Sequence, residues 1–128
     1  MLNKEITEKI IGCAYRVYNK MGFGFLESVY EKCLLIELQT TGLIAKPQQP
    51  ITVRYDGTIV GEFIADIIVE DTIILELKSV RRIVKAHEIQ LVNYLVATGK
   101  PVGLVLNFGE NKVEVKRKVK DLNQGYSG

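Results

Sequence analysis

The first part of the chain has apolar residues at the three- and four-residue spacing of an amphipathic helix. Five positions carry the pattern: Ile6, Ile10, Ala14, Val17 and Tyr18. The spacing predicts a first helix that begins after an Asn3 cap and ends at Gly22. A second helix is predicted from Leu26 to Thr40, with Gly42 as its left-handed C-terminal residue.

From Pro50 onward, short runs rich in Ile and Val alternate with turn signals, which is typical of strands. Asp56-Gly57 and Glu70-Asp71 divide this segment into three strands of an antiparallel meander. A third helix is predicted from Ala86 to Thr98, followed by the strands PVGLVLNF and KVEVKRKV. The expected fold is one α/β domain over residues 1–128, with the order ααβββαββ and a mixed, mostly antiparallel five-stranded sheet flanked by helices.

The third predicted helix carries a polar and an apolar stripe on nearly opposite sides. The polar stripe holds His87, Gln90 and Tyr94, and the apolar stripe holds Ile89, Val92 and Val96. The apolar stripe is expected to face the core, because a helix that packs on a sheet buries its apolar side.

Composition indicates a globular protein, since 47% of the residues are hydrophobic and 25% are charged. Charges interrupt the apolar positions near the start, so no signal peptide is expected, and no run approaches the length of a membrane span. Cys13 and Cys33 lack metal-ligand spacing and are expected to be reduced thiols of a cytoplasmic protein. The C-terminal NQGYSG is expected to fray.

The net charge of +2 does not by itself indicate a polyanionic partner. Bases cluster in KVEVKRKVK and at Arg81, Arg82 and Lys85. Phosphate contacts or solvated faces both explain such clusters.

Two charged residues, Glu76 and Lys78, interrupt the apolar strand IILELKSV and share one face because strand side chains alternate. A three-residue hairpin loop over Glu70–Thr72 would place Asp66 directly opposite Glu76. Two opposed carboxylates repel each other, and a divalent cation between them removes the conflict. This spacing therefore makes Asp66 and Glu76 candidate ligands for Mg²⁺, which prefers carboxylate oxygens.

Lys78 lies one pleat further along this face, where it could orient an attacking water or stabilise charge on a phosphoryl group. Glu27 ends an otherwise apolar stripe of the second helix. On the third helix, Gln90 could orient a water or touch a phosphate, with Tyr94 supporting it.

Each feature also has an ordinary structural explanation. A Glu-x-Lys pair is usually an exposed ion pair, and Glu27 alone is a first-turn glutamate favoured by the helix dipole. Gln90 and Tyr94 alone form a helix surface, and His87 is expected near a helix start without a further role. MGFGF predicts a turn, because it lacks a phosphate-loop lysine and a preceding strand.

The combined arrangement resembles the PD-(D/E)xK nuclease superfamily, which has the restriction-endonuclease-like fold. GFLESVY is similar to the GxxExxY signature of one branch, and QLVNYL is similar to the glutamine and tyrosine motif of exonuclease-like branches. The resemblance covers essentially the whole chain. It departs from the nominal pattern at Ala65, which stands where a proline would precede the Asp.

The resemblance implies that Asp66 and Glu76 bind the metal and that Lys78 is the catalytic lysine. It also implies that Glu27 completes the metal site or supports its ligands from the next layer, and that Gln90 and Tyr94 line the site. Further supporting or phosphate-binding positions would be Tyr30, Tyr94, Arg81, Arg82 and Lys85.

The expected function is Mg²⁺-dependent hydrolysis of phosphodiester bonds in nucleic acid, DNA in particular, with Mn²⁺ as a substitute metal. Specificity would come from loops, a homodimer or a protein partner. Two alternatives stay open: a non-catalytic module that keeps the fold and binds nucleic acid or a protein, and a phosphoesterase that acts on a small nucleotide.

Overall fold

The computed structural model describes residues 3–120, so the C-terminal segment expected to fray lies outside the described residues. The element order agrees with the prediction. The elements are α1 (Lys4–Met21), α2 (Glu27–Thr40), β1 (Ala45–Tyr55), β2 (Thr58–Val69), β3 (Ile73–Lys78), α3 (Lys85–Thr98), β4 (Val102–Phe108) and β5 (Val113–Val119). Within the described range, no helix combines the length and the apolar character needed to cross a membrane.

The five strands form one sheet in the order β1-β2-β3-β4-β5. Neighbouring strands are antiparallel except β3 and β4, which run parallel because α3 connects them. The hairpin between β2 and β3 has the predicted register, with Val69 paired to Ile73. The predicted α/β fold with a mixed, mostly antiparallel sheet is therefore confirmed.

β1 begins at Ala45, earlier than the predicted start at Pro50. The additional segment contains Pro47, which a strand tolerates at the edge of a sheet because its missing N–H faces away from the neighbouring strand. Gln48 also departs from strand geometry, with a left-handed φ of 51°. Because of the proline and the irregular backbone, residues 45–49 lack the alternating pattern from which a strand is predicted.

The ends of the first two helices agree with the prediction only in part. Asn3 precedes α1, but its side chain makes no capping hydrogen bond. Its main-chain oxygen instead accepts the N–H of Thr7 at 2.9 Å. Gly42 follows α2 with a φ of 90°, the left-handed geometry that glycine adopts without strain.

Two apolar clusters cover the two faces of the sheet. α1 and α2 pack on one face, where Ile10 and Leu34 contact the side that carries Leu75. α3 packs on the other face, over the side that carries Ile74. Because Ile74 and Leu75 are neighbours in β3, their alternation separates the two layers of core.

The predicted core-facing stripe of α3 is wrong. Ile89 and Val96 are 51% and 61% exposed, and Val92 is half-buried. The buried residues of α3 are Leu91, Tyr94 and Leu95. The helix carries apolar residues around most of its circumference, so the periodic pattern does not single out one face.

Gly103 on β4 explains which side of α3 faces the sheet. A Cβ atom at Gly103 would lie 2.7 Å from Cδ1 of Leu91 and 3.0 Å from the main-chain oxygen of Ile74. Only a residue without a side chain leaves Leu91 this space in a close-packed core.

We expect Gly103→Ala to destabilise the protein by about 1–3 kcal/mol, because the added methyl group overpacks the contact between α3 and β4. The measurement is the free energy of unfolding in urea. Gly12→Ala is the matched control: its Cβ would meet only Arg16, at 3.8 Å, and alanine favours the helix interior. Equal stability of Gly103→Ala and the unmodified protein would contradict the packing argument.

Candidate active site

Asp66 and Glu76 hold each other's strands by reciprocal hydrogen bonds. The β2–β3 ladder ends at the pair Ile67 and Leu75, one position before the predicted Asp66–Glu76 pair. There the N–H of Asp66 donates to Oε2 of Glu76 at 3.0 Å, and the N–H of Leu77 donates to Oδ2 of Asp66 at 2.7 Å. Two carboxylates thus replace the main-chain ladder at the point where the strands part.

The second oxygen of each carboxylate is left for another partner. Among the residues that the structure describes, Oε1 of Glu76 and Oδ1 of Asp66 accept no hydrogen bond. Glu76 is only 6% exposed, and Asp66 is half-buried. Both oxygens keep some exposure to solvent, so a cation or a water molecule can reach them.

Both carboxyl groups resist ionisation. Burial, and after it the nearby charge of Asp66, raise the pKa of Glu76 to about 8, although the hydrogen bond from the Asp66 N–H acts in the opposite direction. Burial likewise raises the pKa of Asp66, with the charge of Glu27 acting in the same direction. The pair therefore favours a cation beside it.

Lys78 supplies part of that positive charge. It ends β3 two residues after Glu76, on the same face of the strand and half-buried. Its ammonium acts against the upward shifts, since it lowers the pKa of both Asp66 and Glu76. The structure thus brings Asp66, Glu76 and Lys78 together as predicted.

Glu31 is a further acid near Asp66 that the sequence analysis missed. Burial raises the pKa of Glu31, and the charge of Asp66 raises it further. Its Oε1 accepts the side-chain amide of Gln48 at 2.8 Å. The available signal was its spacing, because Glu31 lies one turn after Glu27 on α2 and shares its side of the helix.

Gln48 interrupts β1 at the position across from Asp66. The β1–β2 ladder pairs Pro47 with Ile67 and Gln49 with Ala65, but not Gln48 with Asp66. The left-handed φ of Gln48 is unusual for a strand residue and is typical of backbone strain near functional sites. The sheet is therefore irregular on both sides of Asp66.

The MGFGF loop carries Glu27 to the edge of the site. The hydroxyl of Ser79, next to Lys78, donates to the main-chain oxygen of Phe25 at 2.8 Å. Glu27 begins α2 and is exposed. The charge of Glu27 raises the pKa of both Asp66 and Glu76, so Glu27 is near them. It is not close enough to complete a metal site, because within residues 3–120 no three His, Cys, Asp or Glu side chains form a metal-ligand cluster. Glu27 thus lies at the rim.

Tyr30 holds this loop and does not reach the site. It is fully buried, stacks on Phe108 with ring centroids 4.4 Å apart, and donates its hydroxyl to the main-chain oxygen of Gly22. The N–H of Phe25 donates to the same hydroxyl at 3.3 Å. Tyr30 has a supporting position, because a buried hydroxyl with these partners cannot contact a phosphate.

Asn107, which the sequence analysis also missed, secures the segment after Lys78. It is fully buried, and its side-chain amide accepts the N–H of Val80 at 2.9 Å and donates to the oxygen of Val80 at 2.8 Å. Glu114 accepts the N–H of Ile83 at 3.0 Å and the amide of Asn107 at 2.9 Å. The signal was an asparagine inside the apolar strand PVGLVLNF.

The basic residues after β3 lie on the surface. Arg81, Arg82 and Lys85 are exposed, and Nε of Arg81 is 4.0 Å from Oε2 of Glu110. Asn107 and Glu114 fix the backbone between Val80 and Ile83, so the arginines project from an anchored segment.

The two residues of α3 that were predicted to line the site, Gln90 and Tyr94, differ in burial. Tyr94 is 6% exposed, and burial followed by the charges of Glu76 and Asp66 raises the pKa of its hydroxyl. Gln90 is exposed. Nδ1 of His87 accepts the N–H of Val84 at 3.2 Å. His87 therefore satisfies a main-chain donor at the start of α3.

Comparison with known proteins identifies the family of this chain. The model of the PD-(D/E)XK nuclease superfamily matches residues 4–118. The chain belongs to that superfamily. No curated protein matches it.

One solved structure, "Crystal structure of SSO0001", is similar to this superfamily member, with 17% sequence identity and a TM-score of 0.58. The match covers 78% of this chain and 53% of that chain, so this chain spans about half the length of that protein. At this identity the likeness shows a shared fold.

The donor set of the site fits the divalent metal that the superfamily typically uses. Asp66 and Glu76 each offer an oxygen without a hydrogen bond, and both lose their charge readily unless a cation is near. Mg²⁺ commonly takes one or two carboxylates and completes its coordination with water and substrate oxygens. Two carboxylates are therefore sufficient for such an ion.

In metal-free buffer we expect the free energy of unfolding to fall as the pH rises from about 4.5 to about 8. The folded protein holds the Glu76 proton that the unfolded chain releases, so the stabilisation is complete below the lower value and is lost through the upper one. In Glu76→Gln the fall in the free energy of unfolding over this pH range should be smaller by on the order of 2–5 kcal/mol.

The measurement is urea denaturation across this pH range, with Glu62→Gln, an exposed glutamate on β2, as the control. Added Mg²⁺ should restore stability at the upper end for the unmodified protein and not for Glu76→Gln. Identical pH profiles for Glu76→Gln and the unmodified protein would contradict the raised pKa of Glu76.

Proposed function

We propose that this protein is a metal-dependent nuclease that hydrolyses phosphodiester bonds of DNA. The reciprocal pairing of Asp66 and Glu76 beside Lys78 is the observation that supports the proposal most. Burying two acids and placing a base next to them costs stability, and hydrophobic residues would join these strands at no such cost. Membership in a nuclease superfamily agrees with a catalytic use of the three residues.

Asp66 and Glu76 would hold the metal, Mg²⁺ in this proposal with Mn²⁺ as a substitute. Glu27 would add negative charge at the rim, and Glu31 would fix the side chain of Gln48 through their hydrogen bond. A bound divalent cation supplies Lewis acidity toward phosphate oxygens and lowers the pKa of a coordinated water.

Lys78 would act on the reacting phosphate. Its ammonium lies beside both carboxylates, where it orients the attacking water and stabilises the negative charge that develops on the phosphoryl oxygens. Gln90 would help to orient this water. Arg81, Arg82 and Lys85 would contact flanking phosphates from the anchored segment after β3.

The finer family assignment and the source of specificity are part of the same proposal. GFLESVY supports placement in the GxxExxY branch, because its glutamate is the rim residue Glu27 and its tyrosine is the loop anchor Tyr30. The described elements all belong to the sheet and its covering helices. We therefore propose that a second copy of the chain or a protein partner adds sequence specificity.

The test is cleavage of end-labelled single-stranded and duplex DNA, with an RNA control, in Mg²⁺ and in Mn²⁺. We expect metal-dependent cutting that Glu76→Gln and Lys78→Ala each reduce by about a hundred-fold or more. Matched controls are Glu62→Gln and Lys46→Ala, which change exposed residues of the neighbouring strands without touching the site. These controls should cut at the normal rate.

Calorimetry with Mg²⁺ and Mn²⁺ on the same samples separates the remaining outcomes. Absence of both cutting and metal binding would reject the nuclease proposal. If DNA binding then survived Glu76→Gln or became stronger, the chain would be a non-catalytic binding module, because the substitution removes negative charge.

A further inference from the structure

A groove of about 850 Å³ runs between α3 and the β1–β2 hairpin, outside the pair of carboxylates. Its volume lies within the range of ligand-binding pockets. Ile89 and Phe63, which line it, are 51% and 45% exposed. An apolar cleft with this much exposed surface is typical of a binding site.

Phe63 presents an aromatic surface in this groove. Its ring packs on one side against Tyr94, with centroids 5.6 Å apart and planes inclined by 38°. Nearly half of its surface is still exposed. A ring that is fixed by a neighbour and open to solvent is suited to stacking with a flat ligand.

The polar residues of the groove narrow the ligand class. Gln90 and Asn93 carry exposed side-chain amides, each of which offers both a donor and an acceptor. Among the described residues that line the groove, Arg54 is the one that carries a charge, and it is a cation. The groove therefore combines a stacking surface, neutral hydrogen-bonding groups and one positive charge.

Tyr94 joins this groove to the candidate active site. It lines the groove and packs in the same cluster as Ala65, the residue before Asp66. Its hydroxyl is within the electrostatic reach of Glu76 and Asp66. The groove and the two carboxylates thus have Tyr94 as a common neighbour.

We propose that the groove binds an unpaired nucleobase next to the scissile phosphate, stacked on Phe63, with its polar edge toward Asn93 and its own phosphate near Arg54. The inference rests on the proposed nuclease function and names its substrate class: a single strand or an unpaired end. Bases inside a duplex are already stacked and paired, so they cannot enter a side groove without being extruded.

A second copy of this chain is the other occupant that the apolar surface would admit. The exposed residues Ile59, Val60 and Ile64 extend along the same hairpin, but they lie outside the groove lining. Gln90, Asn93 and Arg54 line the groove itself, and these two amides and one cation favour a planar ligand with hydrogen-bonding edges and a phosphate over an apolar protein surface.

The test uses short single-stranded DNA that carries 2-aminopurine, whose fluorescence falls when the base stacks. Binding is titrated in Mg²⁺ in the Lys78→Ala background, so that the strand stays intact. Phe63→Ala and Phe63→Leu should each weaken binding by about ten-fold or more and prevent the loss of fluorescence. Phe63→Leu keeps the apolar bulk, and Ile64→Ala is the matched control, which should bind within about two-fold of the unmodified protein.

The inference would be overturned if both Phe63 variants kept the affinity and the quenching of the Lys78→Ala protein. The nuclease proposal would still stand in that case if the protein with Lys78 and Phe63 intact cut DNA. A protein that neither binds nor cuts any strand would overturn both. A dimer that Phe63→Ala dissociates without changing DNA affinity would show that the groove holds a second copy, and would also overturn the inference. Preference for a fully paired duplex over the single strand would do the same.

Discussion

Two carboxylates buried side by side set the main physical constraint on this structure. In a low-dielectric surrounding they cannot both ionise unless donors or cations compensate them. The compensation comes from the N–H groups of Asp66 and Leu77 and from the ammonium of Lys78. The β2–β3 ladder ends at Ile67 and Leu75, and beyond it each acid accepts a main-chain N–H from across the gap between the two strands. The end of the β2–β3 ladder and the pair of acids therefore lie at the same place in the sheet.

The neighbouring elements keep that opening in place. On one side, Gln48 interrupts the β1–β2 ladder across from Asp66, and Glu31 on α2 accepts a hydrogen bond from its side chain. On the other side, Asn107 on β4 binds both main-chain groups of Val80 and so fixes the segment after Lys78 beside β4. Buried polar contacts of this kind are costly when incomplete and specific when satisfied. They give the site a rigid frame within the described part of the chain.

The orientation of α3 links the core to the surface beside the site. Leu91 fits over Gly103 and commits one side of the helix to the sheet, which leaves Ile89 and Val96 outside. This exposure has a cost in water, because apolar groups are favoured inside. It also creates an apolar surface that reaches the acids through Tyr94. Packing at a single glycine thus determines what lies next to the proposed reaction centre.

The sequence by itself determined the element order, the β2–β3 register and the association of Asp66 with Glu76 and Lys78. These features depend on local periods and on one short hairpin loop, and alternation along adjacent strands transmits them without further information. Tertiary structure alone decided the irregular start of β1, the side of α3 that is buried, and the positions of Glu31 and Asn107. Those outcomes depend on contacts between residues distant in the chain, such as Leu91 with Gly103 and Asn107 with Val80, and no local period encodes such contacts.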